Sequence, residues 1–193
     1  MMTNLSIRDN SLFVRVVGEG YPILLIHGGP GMDHTTLLSL ESCADQFTLI
    51  YYDQRCNGRS QGADVTSMTW ENLTSDAEAL RQALGIDKWA VLGHSFGGMV
   101  ALEYALRYPR TLSHLLLLDT CGDSWWVQQN APQILAQRGY SASAVQAARR
   151  FFNGQLNPNE VFRTALKFAR AYYYKPSLLS LVREGLAGPR VQM

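Results

Sequence analysis

The pentapeptide Gly-His-Ser-Phe-Gly at residues 93–97 constrains the fold of this chain more than any other feature. It follows the apolar run 89–92, which predicts a strand, and it opens a helical pattern over about 96–108 that Pro109 closes. A serine on a tight turn from strand to helix points outward at the carboxyl end of a sheet. Glycines two positions before and after the serine let the two elements approach closely. The pattern therefore predicts Ser95 as a nucleophile.

The rest of the first 118 residues alternates between apolar runs and helical patterns. The runs 23–26, 47–52, 89–92 and 115–118 are continuous, as expected for strands covered on both faces. Leu73, Ala77, Leu80 and Leu84 predict an amphipathic helix, with an N-cap at residue 69 and a stop at residue 85. Runs at 5–8 and 12–17 predict an opening antiparallel hairpin. The fold class is α/β, with a mostly parallel sheet.

After residue 118 the pattern changes to helices alone. They are predicted at about 124–138, with a bend at Pro132, and at 141–152, 157–174 and 177–187. Residues 1–122 hold 8 Lys/Arg against 13 Asp/Glu, whereas residues 123–193 hold 9 against 3. We therefore predict a core at 1–122 followed by a basic helical cap at 123–193.

Composition excludes several classes of function. The net charge of +1, without a Lys/Arg-rich run, argues against nucleic-acid binding. The longest aliphatic run, 115–118, is far too short to span a bilayer, so we expect no membrane association. Three cysteines without a C-x-x-C pair favour a reducing compartment, and we expect the cytoplasm. We expect neither a metal nor a cofactor.

A second motif, His-Gly-Gly-Pro-Gly at residues 27–31, directly follows the strand run 23–26. Glycines there allow a backbone N–H to approach a ligand closely. We expect the N–H groups of Phe96 and Gly29 to form an oxyanion hole. The glycine-rich loop could instead cradle a phosphate, but neither nucleotide-binding glycine pattern is present.

Three motifs, at residues 27–31, 53–60 and 93–98, occur in this order and resemble the proline iminopeptidase branch of the α/β-hydrolase superfamily. The resemblance covers roughly residues 5–122. It implies a serine hydrolase that works through an acyl-enzyme, with a helical cap after the sixth strand and two later strands that bear the triad Asp and His. Cys56 stands where the family usually has glycine. We interpret Asp53, Arg55 and Ser60 mainly as structural residues that hold their loop.

The triad histidine is the missing part. In this fold the chain order is Ser, acid, His, and no histidine follows His114. We therefore expect a truncated form without the triad Asp and His. Asp119, at the end of the run 115–118, is an alternative acid.

Four other residues are weaker candidates for the substrate pocket, namely Gly28, His34, Trp125 and Glu184.

Three functions remain open. The first is an iminopeptidase-like serine hydrolase acting on a small molecule or short peptide, with doubtful activity for the 193-residue chain alone. The second is an esterase or C–C bond hydrolase for a neutral or anionic acyl substrate, which a basic, aromatic cap would suit. The third is a non-catalytic remnant. We also expect self-association through an exposed sheet edge at 115–118.

Overall fold

The computed structural model describes residues 1–172, and its centre is one six-stranded sheet. The strand order is β1-β2-β4-β3-β5-β6. The β1–β2 and β2–β4 pairs are antiparallel and the other three are parallel, which confirms the predicted hairpin and mostly parallel sheet. The strands are β1 (Met2–Ile7), β2 (Asn10–Val17), β3 (Tyr21–Ile26), β4 (Phe47–Tyr52), β5 (Trp89–His94) and β6 (Leu112–Leu118).

Two α-helices accompany this sheet, α1 (Trp70–Ala83) and α2 (Phe96–Arg107). As predicted, Thr69 caps α1, because its side chain accepts a hydrogen bond from the Asn72 N–H. Gly85 follows the helix with φ +67°, a conformation that favours glycine. The sequence patterns did not predict two 3₁₀ segments, His34–Cys43 and Val65–Ser67.

The main core lies where the apolar faces of β2, β3, β4, β5, α1 and α2 meet. Leu24, Ile50, Val91, Ala77 and Val100 are fully buried in it. Burial of a Leu, Ile or Val side chain stabilises a domain by roughly 1.5–3 kcal/mol. The sheet and its two helices are therefore held by one continuous apolar cluster, which fixes the carboxyl ends of β3, β4 and β5 relative to one another.

The described chain divides into two compact units, which we call the sheet unit (residues 1–120) and the helical unit (residues 121–172). The helical unit contains α3 (Ser124–Gln137, with Pro132 inside), α4 (Ala142–Phe152) and α5 (Pro158–Leu166). The prediction of one helix over 157–174 is wrong, since α5 ends at Leu166 and a 3₁₀ turn follows at Ala169–Tyr172. The helix predicted at 177–187 lies outside the described residues.

The helical unit has its own small core. Leu135, Ala148 and Phe168 are buried there, and the rings of Phe151 and Phe152 lie 5.5 Å and 6.0 Å from that of Phe168. These aromatic side chains of the predicted cap therefore pack against one another. None of the helices within residues 1–172 is long and apolar enough to cross a bilayer.

Strand β6 forms one edge of the described sheet, paired with β5. Leu116, Leu117 and Leu118 are 40%, 47% and 41% exposed within the described part of the chain. The expectation that this run is covered on both faces is therefore wrong for the residues that the structure describes. A strand edge of this kind is a site for pairing with another strand.

Candidate active site

Ser95 occupies a strained turn between β5 and α2. Its backbone has φ +53° and ψ −121°, a conformation that costs a non-glycine residue on the order of 1–3 kcal/mol. The Ser95 N–H donates to the Leu118 carbonyl at 3.0 Å, and the Thr120 hydroxyl donates to the Ser95 carbonyl at 2.7 Å. The Ser95 side chain makes no capping hydrogen bond to α2. The Ser95 hydroxyl is therefore not used as a cap of its own helix.

The glycines of this turn are required by close backbone contacts. A Cβ on Gly93 would overlap the backbone of Gly97, and a Cβ on Gly97 would overlap the carbonyl oxygens of Ile26 and His27. A Cβ on Gly98 would lie 2.5 Å from the Thr120 side chain. The G-x-S-x-G-G pattern is therefore the sequence that lets α2 begin against the ends of β3 and β5.

The glycine-rich loop at residues 27–31 lies directly beside Ser95. A Cβ built on Gly28 would be 3.3 Å from the Ser95 Cβ and 3.1 Å from the His94 Nδ1. Gly29 follows with φ +130°, and its bond to Pro30 is cis. The Gly31 N–H donates to the Asn57 side-chain oxygen at 2.6 Å, which ties the loop to residues 53–60. The motif segments at residues 27–31 and 53–60 thus contact one another, and the segment at residues 93–98 lies beside the first of them.

His27 anchors the beginning of the glycine-rich loop. It is fully buried; the Gln54 N–H donates to its Nε2 at 3.1 Å, so its proton is on Nδ1, 2.7 Å from the Gly28 carbonyl oxygen. Burial lowers the pKa of His27 below 6.5, against the smaller raising effect of the Gly28 hydrogen bond. His27 is therefore a neutral structural residue.

His34 is buried and pairs with Asp53. The His34 Nδ1 and its backbone N–H lie 2.7 Å and 2.9 Å from the Asp53 Oδ1, while the Arg59 N–H donates to Oδ2 at 2.8 Å. Burial alone would raise the pKa of Asp53, but the His34 and Arg59 hydrogen bonds outweigh it and lower the pKa. Asp53 thus holds the segment that follows the glycine-rich loop.

Asp33, His34 and Asp53 are also close enough together to suggest a metal site, with ligand atoms within 4.8 Å. The described hydrogen bonds argue against it. Both Asp53 oxygens accept N–H groups, and an oxygen of Asp33 accepts from the Thr35 N–H and hydroxyl at 2.9 Å and 2.5 Å. The cluster therefore fits a loop-holding role better than a metal centre.

A buried ion pair supports the loop at residues 53–60. The Arg55 Nε donates to the Asp76 Oδ2 at 2.7 Å and its Nη2 donates to Oδ1 at 2.8 Å, with both side chains buried. Sequence analysis missed Asp76 as the partner. Its spacing from Leu73 and Leu80 on α1 was the available signal, because a carboxylate on the buried face of a helix needs a partner. Ser60 donates to the Asp53 carbonyl at 2.5 Å, a second loop contact.

Cys56 has φ +62°, a conformation that favours glycine. This explains why glycine usually occupies the position in the family that the chain resembles. Its thiol points to the Ala63 carbonyl at 3.5 Å.

The remaining site candidates lie in different places. Asp119 follows β6 with φ +45°; its charge acts to raise the pKa of His94, but burial dominates and lowers that pKa. Trp125 belongs to the helical unit and is exposed at the start of α3. Glu184 lies outside the described residues. The structure thus brings Ser95, Phe96 and Gly28 together, with His94 beside them.

Comparison with known proteins identifies the fold family of this chain. A family model described as alpha/beta hydrolase fold matches residues 21–189, most of the chain. The chain belongs to the α/β-hydrolase fold family.

Within this family the chain is similar to proline iminopeptidases. The enzyme of Xylella fastidiosa (strain Temecula1) is 35% identical over 122 residues, which is 60% of this chain and 39% of that protein. The enzyme of Thermoplasma volcanium is 38% identical over 51% of this chain and 34% of its own length. The chain thus spans well under half of the length of these curated relatives.

Solved structures agree with this placement within the family. The crystal structure of the Mycobacterium smegmatis proline iminopeptidase has a TM-score of 0.74 and 26% identity, over 96% of this chain and 66% of that one. An esterase of Thermogutta terrifontis, at 24% identity and a TM-score of 0.57 over 78% of this chain and 65% of that one, shares the fold alone. The α/β-hydrolase fold does not by itself select a reaction.

Proposed function

We propose that this chain carries the nucleophile half of a serine hydrolase of the proline iminopeptidase type, with Ser95 as the nucleophile. The observation that carries the proposal is the strained Ser95 turn placed directly against Gly28. Strained non-glycine residues cluster at active sites because strain is retained where a side chain must be presented in one direction. The similarity to proteins named proline iminopeptidase supports the same reaction class.

In this mechanism the Ser95 Oγ attacks the carbonyl carbon of an amide or ester. The N–H groups of Phe96 and Gly29 stabilise the oxyanion that forms. The start of α2 adds its positive end to this stabilisation, because its first N–H groups have no partners within the helix. The amine or alcohol then leaves with a proton, and water hydrolyses the Ser95 ester to release the acid.

The general base is the part of the mechanism that these residues do not supply. Among the described residues, no hydrogen bond joins any of the four histidines, His94 beside Ser95 included, to the Ser95 hydroxyl. His27 has both ring nitrogens engaged, His34 is buried against Asp53, and His114 lies near the start of β6, at the opposite end of the sheet. We infer that none of these four histidines is the triad base, and we keep Asp119 as the alternative acid. The 193-residue chain then lacks efficient turnover.

An iminopeptidase must bind the protonated amino terminus of its substrate, and the resemblance implies carboxylates of the cap for that role. Glu160 is the only carboxylate in residues 124–172, and it is engaged. It accepts from the Asn157 N–H at 3.2 Å and pairs with Arg150 at 3.2 Å. Glu184, the other carboxylate after Asp123, lies outside the described residues. The scarcity of carboxylates in the predicted cap supports a second candidate function, an esterase or C–C hydrolase with a neutral or anionic acyl substrate.

The decisive experiment is labelling of Ser95 by a fluorophosphonate with added imidazole. Because the proposed base is absent, imidazole should accelerate labelling in proportion to its concentration. Peptide mass spectrometry should find the adduct on Ser95; Ser95→Ala should abolish it, and the control Ser113→Ala should leave it unchanged. Equal labelling of Ser95→Ala, or no labelling at any imidazole concentration, would favour the non-catalytic alternative.

The same proposal includes a cytoplasmic location and a small-molecule or short-peptide substrate. Cys43, Cys56 and Cys121 are all free thiols, which supports a reducing compartment.

A further inference from the structure

Two aromatic rings meet at the starts of the two helices in the sheet unit. Trp70 is the first residue of α1 and Phe96 the first residue of α2. Their ring centroids are 5.6 Å apart and their planes are inclined by 31°. This separation lies within the range in which aromatic rings attract one another. The indole of Trp70 is thus fixed against the residue that directly follows Ser95.

The two rings differ in exposure. Phe96 is half-buried and packs against the main core, whereas Trp70 is 42% exposed. A tryptophan ring can bury 150–250 Å² of surface, so an indole left partly in water has apolar area available for a ligand. Phe96 braces the Trp70 indole from one side, and part of the indole remains exposed. A braced aromatic surface binds a flat apolar ring with little loss of conformational entropy.

We propose that Trp70 is a specificity-determining residue that stacks on an apolar ring of the substrate bound at Ser95. This inference rests on the proposed function, since it takes the reacting carbonyl to lie at Ser95 and the Phe96 N–H. It adds the chemical class of the substrate: an ester or amide with an aromatic ring near the reacting carbonyl. The indole supplies ring contact and no hydrogen bond in this role.

The test uses the 193-residue chain with two boronic acids, phenylboronic acid and methylboronic acid, which can add to a serine hydroxyl and differ in the ring. Their dissociation constants are measured by calorimetry for the wild type, Trp70→Ala and Trp70→Phe. The indole N–H signal of Trp70 is followed by NMR during each titration. Tyr21→Ala is the matched control, because Tyr21 is 45% exposed and lies at the start of β3, the opposite end of the sheet.

We expect Trp70→Ala to weaken phenylboronic acid by about 3- to 10-fold, the fold-change of one aromatic pair, and to leave methylboronic acid unchanged. Trp70→Phe should retain most of the preference, and Tyr21→Ala all of it. The Trp70 indole signal should shift with the phenyl compound alone. An unchanged preference in Trp70→Ala, or an unmoved Trp70 signal at saturation with phenylboronic acid, would overturn the proposal.

Ser95→Ala separates this inference from the proposed function. Loss of the serine hydroxyl should weaken both boronic acids by the same factor, because boron then has no oxygen to bond. If Ser95→Ala changes neither affinity while Trp70→Ala still removes the phenyl preference, the nucleophile assignment fails and the aromatic site stands. If Ser95→Ala weakens both acids and Trp70→Ala has no effect, the aromatic site fails alone.

Discussion

The Cβ of Ser95 lies 3.3 Å from the point where a side chain on Gly28 would begin. This contact predicts that Gly28→Val displaces the glycine-rich loop or the serine. We expect imidazole-dependent labelling of Ser95 to fall by about tenfold or more, as for loss of an oxyanion donor. Gly122→Val is the control, since a Cβ there meets nothing within 4 Å. Equal labelling rates in the two variants would mean that the glycine-rich loop has no part in the reaction of Ser95.

A second prediction concerns the packing of α2 on the end of β3. Gly97→Ala places a methyl group against the carbonyl oxygens of Ile26 and His27, which are backbone atoms that cannot rotate away. We expect a loss of about 1–3 kcal/mol in the free energy of unfolding, measured by urea denaturation. Gly122→Ala should change it by less than about 0.5 kcal/mol. A Gly97→Ala protein as stable as the wild type would contradict the close approach.

The buried ion pair gives a third prediction. Asp76→Ala leaves the Arg55 guanidinium buried without its main partner, and we expect the free energy of unfolding to fall by about 3–5 kcal/mol. Arg107→Ala breaks the pair with Glu103 on α2, in which the side chains are 41% and 34% exposed, and its cost should stay below about 1 kcal/mol. Similar losses in the two variants would mean that water reaches Arg55.

His27 makes stability depend on pH. Because burial lowers its pKa below 6.5, the unfolded chain binds a proton more readily than the folded one. The contribution of His27 is therefore complete above about pH 6.5 and declines as the pH falls from 6.5 toward the folded pKa. Urea denaturation between pH 7.5 and 5 should show this slope, and NMR should place the His27 titration below that of a histidine in an unfolded peptide. A His27 signal that titrates at or above 6.5 would refute it.

The exposed edge of β6 predicts self-association. Edge strands without charge or proline recruit other strands, and β6 holds neither a proline nor an Asp, Glu, Lys or Arg. We expect the sedimentation coefficient of the wild type to rise with concentration and Leu117→Lys to reduce this rise. Leu106→Lys, at an exposed position on α2, should not. A wild type that stays monomeric at all concentrations, with residues 112–118 protected from hydrogen exchange, would contradict self-association through β6.

The sequence was sufficient for elements with a strong local pattern. Continuous apolar runs identified four strands, and Thr69 and Gly85 marked the ends of α1, because caps and burial leave local traces. The 3₁₀ segment His34–Cys43 was missed, since its leucines lack the 3.6-residue period on which helix prediction depends. The end of α5 was misplaced because no glycine marks the change to a 3₁₀ turn.

The site was predicted only in part for a similar reason. Ser95 and the glycine-rich loop belong to short motifs whose geometry is local, so their positions followed from the sequence. The Arg55–Asp76 and His34–Asp53 contacts join residues 21 and 19 positions apart. Such pairs depend on how β4, α1 and the loops pack, which no single-sequence period records.

The hydrogen bonds between Ser95 and the end of β6 also mean that the Ser95 turn depends on residues that are synthesised after it. A ribosome makes residues 93–98 before residues 112–120, yet the Ser95 N–H needs the Leu118 carbonyl and the Ser95 carbonyl needs the Thr120 hydroxyl. The turn therefore reaches its final geometry only after a further 25 residues have left the ribosome and β6 has paired with β5. Chain elongation itself thus delays the formation of the Ser95 turn during biosynthesis.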